Sequence, residues 1–218
     1  MKTRYKHIIW DWNGTLLNDI ALCIKVLNRL LEQRGRLPIT QEDYRRNFRF
    51  PVIHFYKYLG MEIGKDSFEQ ISREFIDNYE SHCFQECSLQ PGANDVLTQL
   101  AKHGITHSAL SAAKQDALEL GIQHFGIRDH FIGLSGASDI HAKGKIQQGL
   151  NWIQQLDWNP NDIVLIGDTD HDYEVSLAMG TDCILTARGH HAYERLAKTG
   201  ARVINSLEEL VPLVHCKV

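Results

Sequence analysis

His7-Ile8-Ile9-Trp10-Asp11-Trp12-Asn13-Gly14-Thr15 is an apolar run that stops at a carboxylate and passes into a glycine-containing turn. So short a run, with no polar alternation, fits a strand buried on both faces, and such strands belong to parallel sheets covered by helices. In that architecture ligands bind beyond the carboxyl ends of the strands, where Asp11 would fall. The backbone N–H groups of the turn would then be open to an anion. Taken alone, the stretch serves equally well as an Asx-stabilised turn.

Working outward, similar short runs recur at 106–110, 163–166, 183–185 and 203–204, with a weaker one at 131–134. Segments with helical spacing separate them, at 93–103, 114–124, 145–155, 173–179 and 192–198. Alternating strand and helix predicts a doubly wound α/β fold with a parallel sheet. The region from Asn18 to Ser88 breaks the alternation. It carries only helical patterns, at 20–34, 41–47, 52–59 and 68–82. The expected organisation is therefore an α/β core of residues 1–17 and 89–218, with 18–88 inserted as a helical cap.

A second acidic strand end follows in Ile163-Val-Leu-Ile-Gly167-Asp168-Thr169-Asp170-His171-Asp172. Asp11 and Asp168 would end two strands at one edge of the sheet. Convergent carboxylates repel unless a cation lies between them, and an all-oxygen set suits Mg²⁺. The Asp168-x-Asp170-x-Asp172 spacing imitates a calcium loop, but Tyr173 stands where that loop needs glycine. For Asp170 and Asp172, helix capping is the competing role, and Asp170 fits it better. Ser111 places a hydroxyl after another strand, suited to a phosphoryl oxygen or to a helix N-cap. Lys143 and Lys145 put ammonium groups at a helix start, against the dipole, as an anion partner or plain solvation would allow.

Together these sites resemble the signature of the haloacid dehalogenase-like hydrolase superfamily, in order and over nearly the whole chain. Asp11-x-Asn13-Gly14-Thr15 is similar to its first motif, Ser111 to its second, Lys145 (or Lys143) to its third, and Gly167-Asp168 through Asp172 to its fourth. The insert resembles the small α-helical cap of the phosphoglycolate-phosphatase-like branch. The resemblance implies a Mg²⁺-dependent phosphohydrolase acting on a small phosphorylated metabolite. Asp11 would be the nucleophile that forms an aspartyl-phosphate. Asp11, Asp168, Asp172 and the Asn13 carbonyl would serve the metal, while Ser111, Lys145 and the N–H groups of Trp12 and Ala112 would hold phosphoryl oxygens.

Asn13 departs from that pattern, because family phosphatases usually carry there an Asp that protonates the leaving oxygen. General acid help is worth about 10²–10⁴ in rate, and an amide cannot give it. Four outcomes stay open. The leaving group is a good one, such as an acyl or aryl phosphate; a cap residue (His54, Tyr56 or Lys57) supplies the proton; Asn13-Gly14 deamidates; or the protein only binds phosphometabolites. Arg49, with Arg45 and Arg46 behind it, is the expected anion anchor of the cap. Phosphonatases have Asp-Trp-Ala-Gly-Thr and a cap Schiff-base lysine, which makes Lys57 the residue to examine for a C–P hydrolase. His190-His191 reads as an exposed helix start.

The remaining features exclude rather than assign. A net charge of −4 gives no basic face for nucleic acid. No apolar run reaches the roughly 18 residues of a membrane span. Five cysteines without a C-x-x-C pair read as reduced thiols, and the chain as a cytoplasmic monomer or small homo-oligomer. Dinucleotide and P-loop glycine patterns are missing where they would be needed.

Overall fold

The computed structural model describes residues 4–61, 65–138 and 144–214. In chain order β1 (His7–Trp10) leads to a two-residue strand, β2 (Leu17–Asn18), and then to four helices. These are α1 (Ile20–Gln33), α2 (Gln41–Asn47), α3 (Val52–Tyr58) and α4 (Lys65–Glu86). A second short strand, β3 (Ser88–Leu89), returns antiparallel to β2, so both ends of the insert share one stalk. The core continues as α5 (Ala93–Lys102), β4 (Thr106–Lys114), α6 (Gln115–His124), β5 (Phe131–Ala137) and α7 (Ile146–Ile153). It ends with β6 (Ile163–Gly167), α8 (Asp170–Met179), β7 (Asp182–Thr186), α9 (Tyr193–Leu196), β8 (Arg202–Ile204) and α10 (Leu210–Leu213).

Six strands form one sheet in the order β5-β4-β1-β6-β7-β8, and every pairing is parallel. Chain order runs outward from β1 to β4 and β5 on one side and to β6, β7 and β8 on the other. That reversal is the topological switch point at which such sheets bind ligands. In β1, alternate side chains divide between the two faces. Ile8 and Trp10 join Leu97, Leu100 and Leu118 on one face, and Ile9 joins Leu165, Val175 and Met179 on the other. Burying each such side chain contributes about 1.5–3 kcal/mol, which commits β1 to the centre.

Register then sets the site. Trp10 pairs with Ala109 of β4 and with Ile166 of β6. Asp11 and Asp168 consequently leave the sheet at about one level, with Ser111 two residues past Ala109 on the neighbouring strand. The insert buries its own apolar set, including Leu27, Leu30, Leu31, Phe55 and Tyr56. Hydropathy could not have found β2 and β3, because two residues carry no period. β4 also runs on past the expected end at Leu110 to Lys114, so Ser111 lies inside a strand and does not cap α6.

Candidate active site

Asp11 follows β1, and its backbone N–H donates to the Ile166 carbonyl at 2.8 Å, which ties the strand end to β6. Its carboxylate is buried and accepts from the Lys145 ammonium. Lys145 is 3% exposed and also faces Asp172 Oδ1 at 2.7 Å and the Leu110 carbonyl at 3.1 Å. Asp172 is held by a capping box at the start of α8. Its Oδ2 accepts from the Asp168 N–H, the Thr169 N–H and the Thr169 hydroxyl at 3.1, 2.9 and 2.7 Å. Asp172 thus both caps and serves the site, whereas Asp170, for which capping was the better fit, pairs with Arg195 at 2.7 Å. Lys143 lies outside the described residues.

Thr15, quoted in the first motif but given no role there, is fully buried between the two strand-end acids. Its hydroxyl lies 3.1 Å from Asp11 Oδ2 and 2.9 Å from Asp168 Oδ1. Gly14 has φ +77°, and a Cβ on it would come within 2.4 Å of Asp168 Oδ2. Turn geometry and lack of space both require glycine there. Ser111 is buried beside this group, and its hydroxyl accepts from the Ala113 N–H at 3.0 Å.

Oxygens of Asp11, Asp168 and Asp172 all lie within 4.8 Å of one another. Burial pushes the Asp11 and Asp168 carboxyls above the usual carboxylate range. Lys145 opposes this at Asp11, and His190 opposes it at Asp168. Burial alone would also raise Asp172, yet Lys145 and the Thr169 hydroxyl hold it below that range. Buried, mutually repelling oxygen donors of this kind fit a hard divalent cation.

A second layer went unread in the sequence. Asp19, at the entrance to α1, is 1% exposed and accepts from Asn13 Nδ2 at 2.8 Å, Gly14 N–H at 3.0 Å and Tyr79 Oη at 2.7 Å. His190 Nε2 lies 3.3 Å from it. The other ring nitrogen, Nδ1, meets Tyr44 Oη at 2.9 Å. Burial would neutralise His190, but Asp19, then Asp168 and Asp11, raise its pKa to about 9. The expectation of an exposed His190-His191 is therefore overturned, since both are buried. The loop carrying them folds across the sheet edge, with the His190 N–H donating to Asp168 Oδ2 at 2.5 Å.

A cavity of about 190 Å³ opens beside the acids. Asp11, Asn13, Ser111, Ala112, Lys145, Asp168 and Asp172 line it together. Trp12 does not; its indole packs in the core beside Phe125. Arg49, His54 and Lys57 do not line it either, and all three are exposed. Arg49 instead lies over the Tyr58 ring at 5.9 Å. From that stretch the cavity takes Phe48 and Phe50, which precede α3, and Val52, Phe55 and Tyr56 from the inward face of α3, so that Tyr56 lines it where His54 and Lys57 do not. Arg45 binds the Ala187 and His191 carbonyls at 2.5 and 2.9 Å, which fastens the insert to the core.

A sequence model of haloacid dehalogenase-like hydrolases matches residues 8–186. The chain belongs to that family. Among relatives of this haloacid dehalogenase-like hydrolase, a phosphoglycolate phosphatase of Synechococcus elongatus is 22% identical over 87% of each chain. The tyrosine-protein kinase PtkA of Mycobacterium tuberculosis is 25% identical over 90% of this chain and 67% of its own length. A predicted phosphatase from Clostridium acetobutylicum has the same fold, with a TM-score of 0.80, 20% identity and 96% and 98% of the two chains covered. No helix among the described residues is long and apolar enough to cross a membrane.

Proposed function

We propose that this hydrolase is a Mg²⁺-dependent phosphatase of small phosphate monoesters, with Asp11 as its nucleophile. The convergence of Lys145, Asp168 and Asp172 on the Asp11 carboxylate carries the reading. Phosphatases among the relatives support it. Asp11, Asp168, Asp172 and the Asn13 carbonyl would hold the ion, and Mg²⁺ when bound neutralises charge on the reacting phosphoryl group.

The chain's own groups do the rest. Asp11 attacks phosphorus, the P–O bond to the leaving group breaks, and the phosphoryl group is held as an aspartyl-phosphate until water displaces it. Lys145 is fixed by Asp11 and Asp172 and keeps its proton, because those two carboxylates outweigh the burial that would strip it. It stabilises phosphoryl oxygens as charge grows on them, aided by the Ser111 hydroxyl and the Ala112 N–H. The insert of residues 18–88 acts as the cap that excludes water and shapes the leaving-group side. Lys57, the lysine a phosphonatase-like C–P hydrolase would have to use, is exposed and does not line the cavity, which favours the phosphatase reading.

The test is phosphate release from a panel of phosphate monoesters, with Mg²⁺ and with a chelator, for the wild type and Asp11→Asn. Turnover that needs both Mg²⁺ and Asp11 is expected. Phosphate ligands that bind without turnover in either condition would leave only a binding protein.

A further inference from the structure

The leaving-group side of the cavity has unusual chemistry for a carbohydrate or hydroxy-acid phosphate. Phe48, Phe50 and Phe55 meet there in edge-to-face contacts, with ring centroids 5.3 Å apart for Phe48 and Phe50 and 5.4 Å for Phe48 and Phe55. Phe75 and Tyr79 of α4 complete the aromatic wall. The insert contributes no cation among the described lining residues; its charged groups there are Asp19 and Glu80. An anionic leaving group such as a carboxylate therefore meets carboxylates and rings from that side.

Among the described residues, that side offers only engaged or weak acids. Asn13 Nδ2 is spent on Asp19 and on Tyr79 Oη at 2.9 Å. Both nitrogens of His190 are engaged, by Asp19 and Tyr44. Asp19 itself receives donors from Gly14, Asn13 and Tyr79, which favour its ionised form. Beyond these, Glu80 and Lys114 line the cavity as solvent-exposed groups, and the Tyr56 phenol, which also lines it, is pushed up by burial and so made a weaker acid than a free phenol. A leaving group that departs without a proton suits such a site.

We propose that the substrates of this centre are phenolic phosphate monoesters, whose ring seats against Phe48, Phe50 and Phe55. This deepens the phosphatase reading and rests on it. A phenol has a pKa of about 10, while an alkyl alkoxide is about as basic as hydroxide, whose conjugate acid lies at about 15.7. Asp11 forms the O–P bond, the aryl O–P bond breaks, and the electron pair leaves on the phenolate, which solvent protonates. Water then attacks the aspartyl-phosphate, releasing phosphate and restoring Asp11.

Steady-state kinetics of the Mg²⁺-loaded protein with phenyl phosphate, acetyl phosphate and 2-phosphoglycolate test this. Phenyl phosphate should exceed 2-phosphoglycolate in kcat/KM by about 10² or more, the scale of a missing acid. Its KM should lie roughly ten-fold below that of acetyl phosphate, whose carboxylate is a still better leaving group but brings no ring to bury. Phe48→Ala and the half-buried Phe50→Ala should each raise KM for phenyl phosphate more than for acetyl phosphate. Equal KM values for phenyl and acetyl phosphate, or faster turnover of 2-phosphoglycolate, overturn the substrate class and leave the phosphatase reading standing. No turnover of any of the three, or activity indifferent to Asp11→Asn, overturns both.

Discussion

Asn13 donates its side-chain amide to the Asp19 carboxylate at 2.8 Å, and the adjacent Gly14 N–H donates to the same carboxylate at 3.0 Å. The amide at position 13 is thus part of a buried ionic network joining the first strand to the insert. Asn13→Asp would set two carboxylates in contact, and like charges so close cannot both ionise. A lost hydrogen bond to a buried charge costs about 1.5–3 kcal/mol. Thermal unfolding should show a Tm several degrees below wild type. Exchanging the pair, Asn13→Asp with Asp19→Asn, should recover much of that loss. The exchanged protein should also gain more alkyl phosphate turnover than the single variant. A single variant as stable as wild type would show that the contact carries little.

Removing the ammonium of Lys145 leaves Asp11 and Asp172 facing each other without a cation. Breaking a buried ion pair by removing one partner costs about 3–5 kcal/mol, which for a chain of this size lowers Tm by on the order of 10 °C. Lys145→Met should show that loss in a chelator and fall at least 10²-fold in kcat/KM with Mg²⁺. A stable variant with near-normal turnover would place the positive charge elsewhere.

Folded-state pKa values of Asp11 and Asp168 stand above the unfolded ones, first because of burial. Their contribution is present at low pH and is lost as pH rises through those folded-state values. Near neutrality the metal-free protein therefore carries an electrostatic cost that a cation relieves. Mg²⁺ at about 100 times its Kd should add about 2.7 kcal/mol. Calorimetry should record a Tm rise in the wild type and little in Asp168→Asn.

His190 supplies a separate pH window. Its pKa is raised to about 9 from an ordinary value near 6.5, because attraction to Asp19, Asp168 and Asp11 outweighs burial. Its share of stability is complete below about pH 6.5 and is lost as pH climbs through about 9. Unfolding measured in a chelator between pH 6 and pH 10 should show this decline. His190→Asn should flatten the decline and lower the acid-side plateau.

Much of the core was legible because its signals are local. The run at His7–Trp10 and the one at Ile163–Gly167 each stop at an acid, and burial on both faces leaves a strand no other reading. The insert was legible as helices because α1 and α3 have a periodic apolar face. What stayed hidden depends on folding back. Asp19 is an unremarkable residue before a helix until Tyr79, sixty positions later, and His190 close over it. Arg49, His54 and Lys57 read as binding groups by charge, but the turn of α3 buries Phe55 and Tyr56 and leaves His54 and Lys57 in solvent, while Arg49, ahead of that helix, is exposed over the Tyr58 ring. His190 and His191 looked exposed since nothing in their neighbourhood announces the Asp168 carboxylate that captures the loop.

Chemical quench of the first turnover tests the central claim, that Asp11 becomes phosphorylated. Mg²⁺-loaded protein mixed with excess phenyl phosphate is stopped in acid within one turnover, digested and mapped by mass spectrometry. One phosphoryl group is expected on the Asp11 peptide, labile to alkali, and none in Asp11→Asn, which should be inactive. Full turnover with an unmodified Asp11 peptide, or turnover that survives Asp11→Asn, would contradict it.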